Sequence, residues 1–313
     1  MVLYQLNNFK MKEIKEEVFV KEKQLQVLIE ENLETLFNLY FVASEFTVGN
    51  FRLDTVAYDP DTKSFVIIEY KKGKRYSVID QGYAYLNTLL AHKGEFVLKY
   101  NECYPDHLKR IGEIDWSQTR IIFVANEYTD YQYGAVNNPN LPIDLVIAKK
   151  YKNNLIHIES LTKTNNNVDS IKKIEKESPE QGLSKEIKIY TEQEHILKGS
   201  EEIQELYLEL KDIILSWDSD IKVKAVKLYN SFKLKRNIVD IQIQKNALKI
   251  WINLKIGQLN DSRNLARNVS DIGHWGNGDY EFVMKNNQDI EYIASLIKQS
   301  WQYHKKEKRE LGE

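Results

Sequence analysis

The segment SFVIIEYKK, at residues 64–72, limits most narrowly what this chain can fold into. In a β-strand, alternate side chains point to opposite faces, and residues 65–68 are apolar on both. Such a strand is typical of a sheet that is covered on both sides. Glu69 and Lys71 share one of these faces, where a buried charge is costly unless it is paired or binds a metal. The end of this strand is therefore a candidate functional site.

A second strand-like segment, FRLDTVAYD at residues 51–59, precedes this strand across a turn. Together they predict a β-hairpin that would place Asp54 opposite Glu69 and Lys71. Two carboxylates and the Tyr70 carbonyl would suit Mg²⁺, with Mn²⁺ as a substitute. Lys71 would orient or deprotonate the attacking water in phosphodiester hydrolysis and stabilise the charge that develops on the phosphate. The same residues are also compatible with an ordinary salt bridge on a surface hairpin.

Two helical segments supply further polar candidates. Apolar residues recur at three and four positions over residues 18–40, and Glu22 lies near this stripe whereas residues 30–31 point away from it. Glu22 is either an extra ligand of the metal or water, or a surface residue at a helix start. Gln81 and Tyr85 are four residues apart on the next predicted helix and share a face. They either line the site or are ordinary polar positions.

Composition changes along the chain divide it into two predicted domains. Residues 161–200 are polar, charged and low in aromatic residues, which predicts a linker between domains at 1–160 and 201–313. The predicted fold class is α/β (α+β), with a sheet flanked by helices in the first domain and a smaller α+β arrangement in the second. Further strands are predicted at 95–99, 119–125, 143–149, 154–160, 238–244, 247–255 and 280–284, and helices follow the apolar stripes over 203–214 and 290–301.

The order of these motifs resembles that of the PD-(D/E)XK nuclease superfamily, and most of all the NucS-type endonucleases and their bacterial relatives. The resemblance covers about the first half of the chain, in the runs EKQLQVLIEENLETLF, RLDTVAYD, FVIIEYKKG and IDQGYAYL. It implies a restriction-endonuclease-like mixed sheet and DNA cleavage with a divalent metal. Its helix Glu, strand Asp, E-x-K strand and Gln-x-x-x-Tyr helix match Glu22, Asp54, Glu69, Lys71, Gln81 and Tyr85. Of these, all but Tyr85 are candidate catalytic residues, and Asp54, Glu69 and Tyr70 are the candidate metal ligands.

The second half also resembles a known kind of domain. The runs ALKIWINLKIGQLND and NVSDIGHWGNGDYEF are similar to a C-terminal domain of unknown function that follows nuclease-like domains in prokaryotes. That domain often carries the label "predicted transport protein", but no apolar run here approaches the roughly 20 residues that cross a bilayer. Its occurrence beside restriction-like proteins implies a defence role by association alone.

Local basic patches are the candidate nucleic-acid contacts, because the net charge of -2 provides no global positive field. One set follows the E-x-K strand and includes Tyr85 of the next helix. A second set lies in a lysine-rich stretch with interleaved aromatic residues, which is also compatible with a solvated face over an aromatic core. The candidates are Lys72, Lys74, Arg75 and Tyr85 in the first set, and Lys233, Lys235 and Arg236 in the second.

The single cysteine, Cys103, excludes an internal disulfide and a cysteine-rich zinc site, and it fits a reducing cytoplasm. The N-terminus lacks the apolar core of a signal peptide. We therefore expect a cytoplasmic Mg²⁺-dependent deoxyribonuclease, acting in defence or DNA repair, whose second domain helps to bind or select the substrate. The alternative is a nucleic-acid binding or sensing protein that keeps the fold without turnover. The residues do not distinguish DNA from RNA, and a homodimer would suit cleavage of both strands.

Overall fold

The computed structural model describes residues 2–71, 78–136, 141–161, 188, 190–272, 274 and 276–310. The chain divides into two compact units, Met1–Lys188 and Ile189–Glu313, each with a sheet and a hydrophobic core of its own. The predicted fold class, a mixed sheet flanked by helices together with a second α+β domain, is confirmed. Within the described ranges, no helix combines the length and the apolar character that crossing a membrane requires.

The first unit is built around one mixed sheet, which follows a separate hairpin of β1 (Leu3–Asn7) and β2 (Lys10–Ile14). Its strands are β3 (Glu16–Glu17), β4 (Tyr40–Val48), β5 (Phe51–Asp59), β6 (Ser64–Lys71), β7 (Arg120–Ala125), β8 (Ile143–Tyr151) and β9 (Leu155–Ser160). The central strands β6, β7 and β8 are parallel to one another, and the remaining pairings are antiparallel. The hairpin predicted from residues 51–72 is thus confirmed as β5 and β6.

Helices cover both faces of this sheet. They are α1 (Glu22–Glu30), α2 (Leu33–Phe37), α3 (Val78–Ala91), α4 (Lys93–Cys103) and α5 (Asp130–Val136), with short 3-10 turns at Pro105–His107, Ile111–Glu113 and Trp116–Gln118. Phe65 and Ile67 pack into the core that α3 and α4 share, whereas Val66 and Ile68 pack into the core under α1 and α2. All four side chains are fully buried, as expected for a strand covered on both sides.

Two local predictions in this unit were wrong. Residues 95–99 are part of helix α4 and not of a strand, because Phe96, Val97 and Tyr100 recur at helical spacing and bury one face against the sheet. The stripe over residues 18–40 forms two short helices and then strand β4. The break lies at Asn32, whose side chain donates a hydrogen bond to the Leu28 carbonyl at the end of the first helix.

The second unit is an antiparallel sheet with helices packed on one face. The strands are β10 (Lys222–Ala225), β11 (Asn230–Lys233), β12 (Asn237–Gln244), β13 (Ala247–Ile252), β14 (Arg267–Asn268) and β15 (Tyr280–Met284), and the helices are α6 (Glu192–Ile196), α7 (Glu201–Leu215) and α8 (Ile290–Glu310). The strands lie in the order β10-β11-β12-β13-β15-β14, and Leu206 and Leu210 of α7 share a core with Ile293 and Ile297 of α8. The strands predicted around 238–244, 247–255 and 280–284 and both long helices are confirmed.

The predicted linker at 161–200 was too long at its C-terminal end. Helix α6 lies inside that range, capped by the Thr191 side chain, which accepts a hydrogen bond from the Glu194 backbone N–H. Ile196 is buried in the core of the second unit, so this turn of helix belongs to the domain. A single short helix with one buried apolar residue gives little periodic signal, which is why composition alone assigned it to the linker. Residues 162–187 lie outside the described ranges.

Candidate active site

The ends of strands β5 and β6 bring Asp54 and Glu69 together. The two strands pair antiparallel with Thr55 opposite Ile68, and one step further along this register Asp54 faces Glu69. The Oδ2 atom of Asp54 accepts a hydrogen bond of 3.1 Å from the backbone N–H of Tyr70. The predicted convergence of the two carboxylates is therefore produced by hairpin pairing, supported by this cross-strand hydrogen bond.

Glu69 is held from two sides. Its Oε1 atom accepts hydrogen bonds from Lys71 Nζ at 2.7 Å and from Gln81 Nε2 at 2.8 Å. The residue is only 5% exposed, and among the described residues no hydrogen-bond partner reaches its other carboxylate oxygen, Oε2. A buried oxygen of this kind is unfavourable unless a further group binds it. The site thus leaves one carboxylate oxygen available for a ligand.

Gln81 and Tyr85 form a chain of hydrogen bonds with Glu69. They lie one turn apart on α3, and Gln81 Nε2 donates to Tyr85 Oη at 2.8 Å as well as to Glu69. Tyr85 is buried and its ring packs edge-on against Phe51 at the start of β5. Helix α3 therefore orients the Glu69 carboxylate through Gln81, and Tyr85 in turn supports Gln81.

The two carboxyl groups have raised pKa values. Burial raises the pKa of Asp54 above its ordinary 3.8, more than the Tyr70 N–H and the nearby Lys71 ammonium lower it. Burial also raises the pKa of Glu69 above 4.5, and the negative charge of Asp54 adds to this effect. Two neighbouring buried carboxylates each disfavour ionisation of the other. A bound cation would relieve this repulsion.

A polar network behind Asp54 escaped prediction. Gln26 is buried on α1, and its Nε2 donates to the Asp54 backbone carbonyl at 2.8 Å and to Glu30 Oε1 at 2.9 Å. Glu30 also accepts a hydrogen bond of 2.6 Å from Thr55, which lies 3.1 Å from the Tyr70 hydroxyl. The prediction that Glu30 points away from the core stripe was therefore wrong. The available signal was the spacing of Gln26 and Glu30, which are four residues apart and share a face.

Glu22, the first residue of α1, lies in the neighbourhood of the site. Its side chain is exposed, and its negative charge contributes to the raised pKa of Asp54. Glu22 and Lys71 line the same open cleft. The helix Glu of the predicted motif is thus beside the charged cluster, on its solvent side.

The remaining candidates lie within the second unit or beyond the described ranges. Lys72, Lys74 and Arg75 are outside the described residues. Lys233 ends β11, and Lys235 and Arg236 are half-buried in the turn before β12, within the second unit.

The donor set fits a hard divalent cation with few protein ligands. In the described part of the chain there is no group of three or more His, Cys, Asp and Glu side chains placed to hold a metal. Asp54 and Glu69 offer two carboxylates, one with a buried oxygen that lacks a hydrogen-bond partner among the described residues. Mg²⁺ characteristically binds one or two carboxylates and keeps several of its waters, whereas structural zinc takes four nitrogen or sulfur ligands. The residues present therefore suit Mg²⁺ better than zinc.

Comparison with known proteins gives a family-model match in the second unit and weak alignments with solved structures over less than half of the chain. A family model described as "Domain of unknown function (DUF5655)" matches residues 192–304, within the second unit. A repair endonuclease from Pyrococcus abyssi aligns with TM-score 0.24 and 18% identity over 42% of this chain and 48% of that one. SfsA from Pyrococcus furiosus, in complex with Ca²⁺, aligns with TM-score 0.24 and 14% identity over 48% of this chain and 75% of that one. TM-scores this low do not establish a shared fold.

A full-length relative is found in Haemophilus influenzae (strain ATCC 51907 / DSM 11121 / KW20 / Rd), where it is described as "Uncharacterized protein". It is 46% identical over 289 residues, which span 92% of this chain and 95% of the relative. Similarity of this extent includes both units and the sequence between them. The chain therefore belongs to the same protein family as this Haemophilus influenzae protein.

Proposed function

We propose that this protein is a Mg²⁺-dependent nuclease that hydrolyses DNA phosphodiester bonds. The observation that carries the proposal is the grouping of Asp54, Glu69 and Lys71 at the adjoining ends of β5 and β6, with Lys71 Nζ 2.7 Å from Glu69. Phosphodiester hydrolysis needs a cation that neutralises the phosphate, a positioned water and a positive group near the developing charge. These three residues supply the protein side of that requirement.

Asp54 and Glu69 would hold the metal, and the Tyr70 backbone carbonyl is a further candidate ligand. The raised pKa values of Asp54 and Glu69 and the buried Glu69 oxygen support a site in which a bound cation favours ionisation of both carboxyl groups. When bound, Mg²⁺ would polarise the phosphate and promote ionisation of the attacking water. Mn²⁺ prefers the same oxygen ligands and would substitute.

The neighbouring side chains would hold the Lys71 ammonium and the two carboxylates in fixed positions. Lys71 would place its ammonium beside the scissile phosphate and orient the water, with Glu69 fixing where that ammonium lies. Gln81 holds the Glu69 carboxylate, and Tyr85 holds Gln81. The Gln26 side chain fixes the backbone of Asp54 from the other face of the sheet. Preorganisation of this kind is a major source of catalytic stabilisation.

The test is a cleavage assay on supercoiled plasmid, linear duplex, single-stranded DNA and RNA, with Mg²⁺, with Mn²⁺ and with chelator. The proposal expects metal-dependent cleavage of DNA that falls by about 10²–10³-fold or more in Lys71→Ala, Asp54→Asn and Glu69→Gln. Asp59→Asn is a matched control, because Asp59 is a buried acid at the opposite end of β5 that binds Arg120 Nη1 at 2.8 Å. Wild-type levels of cleavage in Glu69→Gln would contradict the assignment.

A second candidate is a nucleic-acid binding protein without turnover. The 2.7 Å Lys71–Glu69 ion pair favours it, because this pair partly compensates the charge of Glu69 without a metal ion. This alternative expects nucleic acid to bind without metal and to remain intact with every metal tested. Binding and cleavage measured on the same DNA preparation distinguish the two candidates.

A further inference from the structure

The carboxyl ends of the three parallel strands β6, β7 and β8 meet at one edge of the sheet of the first unit. Lys71 lies beside Ala125 in the register of β6 and β7, and Ala125 lies beside Ile147 in that of β7 and β8. Asn126 comes directly after β7, and Lys149 and Lys150 lie near the end of β8. Ligands of sheets with parallel strands bind outside the carboxyl ends of those strands.

A cleft runs along this edge. It is lined by Lys71, Asn126, Lys149 and Lys150, by the acids Glu16, Glu17 and Glu22, and by apolar side chains. The amide oxygen of Asn126 is enclosed, and within the described ranges it has no hydrogen-bond partner. Lys71, Lys149 and Lys150 bring positive charge to this end of the sheet, and lysine ammonium groups bind a phosphate backbone. Lys149 and Lys150 are consecutive residues of one strand, so they extend from opposite faces of the sheet.

Strand β3 places two acids in the same cleft. Strand β9 pairs with residues 146–151 of β8, so β3, which pairs with Lys150 and Tyr151, must use the edge of β8 that faces β7. β3 thus lies in line beyond the end of β7. From there Glu16 reaches Lys149 Nζ at 3.1 Å, and Glu17 reaches Lys150 Nζ at 3.2 Å.

These ion pairs are easily exchanged. β3 has only two residues, and the four side chains are between 22% and 40% exposed. Ion pairs this accessible contribute little to stability. A polyanion that releases counterions on binding would therefore compete effectively for both lysines.

We propose that Lys149 and Lys150 contact the phosphate backbone of the nucleic acid. In the free protein, Glu16 and Glu17 form ion pairs with these lysines and so compete with the nucleic acid for them. This inference rests on the proposed nucleic-acid substrate but not on hydrolysis. It adds a binding track beside Lys71 on the β8 side. It also gives the acidic strand a role as a weak intramolecular competitor.

The test is a double-mutant cycle on the full chain, read as fluorescence anisotropy of a labelled DNA duplex in chelator over a series of salt concentrations. Lys149→Ala with Lys150→Ala should weaken binding and lower the slope of log affinity against log salt by about 0.9 for each phosphate that a lysine neutralises in the wild-type complex. Glu16→Gln with Glu17→Gln should tighten binding by up to about fivefold per released pair. Lys99→Ala, which removes a cation paired with Glu102 in the same unit, is the control for a general change of charge.

The quadruple variant decides the mechanism. If the acids act by occupying the lysines, the two glutamine substitutions should have no effect once both lysines are alanine. An equal gain in affinity in both backgrounds would show a bulk charge effect and overturn the proposal, as would unchanged binding in the lysine variant or no DNA binding by the wild-type protein. Binding that follows the cycle without any cleavage would support this inference and refute the proposed hydrolysis. Metal-dependent cleavage by the wild-type protein, together with unchanged DNA binding by the Lys149→Ala, Lys150→Ala variant, would support the proposed hydrolysis and refute this inference.

Discussion

Asp54 on β5 is tied to the neighbouring strand by the backbone N–H of Tyr70, which lies 3.1 Å from its carboxylate and one residue beyond Glu69. This hydrogen bond holds the negative charge of Asp54 near the buried carboxylate of Glu69. Two buried carboxylates beside a single ammonium, that of Lys71, cost stability while no metal ion is bound. We therefore expect the charge of the two acids, and the packing around them, to control both stability and activity.

Asp54→Asn should raise the thermal stability of the metal-free protein. The folded-state pKa values of Asp54 and Glu69 are raised, so the folded state binds these protons more tightly than the unfolded state does. Their contribution to stability is therefore largest at low pH and falls as the pH rises from about 4 through the raised values. At neutral pH, removing one charge should increase the free energy of unfolding by about 1 kcal/mol.

Denaturation of wild type and Asp54→Asn should be compared with chelator at several pH values. The gain should vanish in acid, where both carboxyls are protonated in the wild-type protein as well. A gain that is independent of pH would point to packing and not to charge repulsion.

Metal binding should strengthen with pH. The metal requires ionised carboxylates. Because the pKa values of Asp54 and Glu69 are raised, these groups keep their protons to a higher pH than ordinary acids do, and a metal that binds there must displace those protons. Affinity should rise through the raised pKa values and then level off. Titration calorimetry with Mn²⁺ in buffers of different ionisation enthalpy would detect the released protons, and Glu69→Gln should abolish both the binding and the proton release.

Gln81→Ala should lower the rate of cleavage with little loss of stability. The substitution removes the 2.8 Å hydrogen bond that orients Glu69 and also the hydrogen bond to Tyr85. We expect turnover to fall by about 10–100-fold, as for other residues that orient a metal ligand. Thr88→Ala is the matched control on the same helix, because Thr88 is similarly half-buried and its hydroxyl donates to the Ala84 carbonyl of its own helix. An equal loss in both variants would mean that helix α3 itself, and not Gln81, is responsible.

Gly278→Ala should destabilise the second unit. A Cβ atom at this position would lie 1.7 Å from the Ile252 carbonyl oxygen at the end of β13, and backbone atoms cannot move aside cheaply. We expect a loss of about 3 kcal/mol. Gly94→Ala is the comparison, because nothing lies within 4 Å of its added Cβ on α4, and it should stabilise by about 0.5–1 kcal/mol. Chemical denaturation of the full chain, followed by tryptophan fluorescence and circular dichroism, would measure both.

The amino-acid sequence by itself determined the strand at the centre of this protein and the charged pair at its end. Four apolar residues in succession require cover on both faces, and the two-residue period places Glu69 and Lys71 on the same side. The short turn between β5 and β6 likewise brings Asp54 opposite Glu69. Both features could be predicted because the residues concerned are close to one another in the sequence.

Only the tertiary structure decided what surrounds that pair. Gln26 reaches the Asp54 carbonyl, and Glu16 reaches Lys149, across 28 and 133 residues of sequence. Periodicity carries no information about such long-range hydrogen bonds, because they depend on how helices and strands pack against one another. Segment 95–99 shows the same limit: its residues suit either a helix or a strand, and burial against the sheet selected the helix.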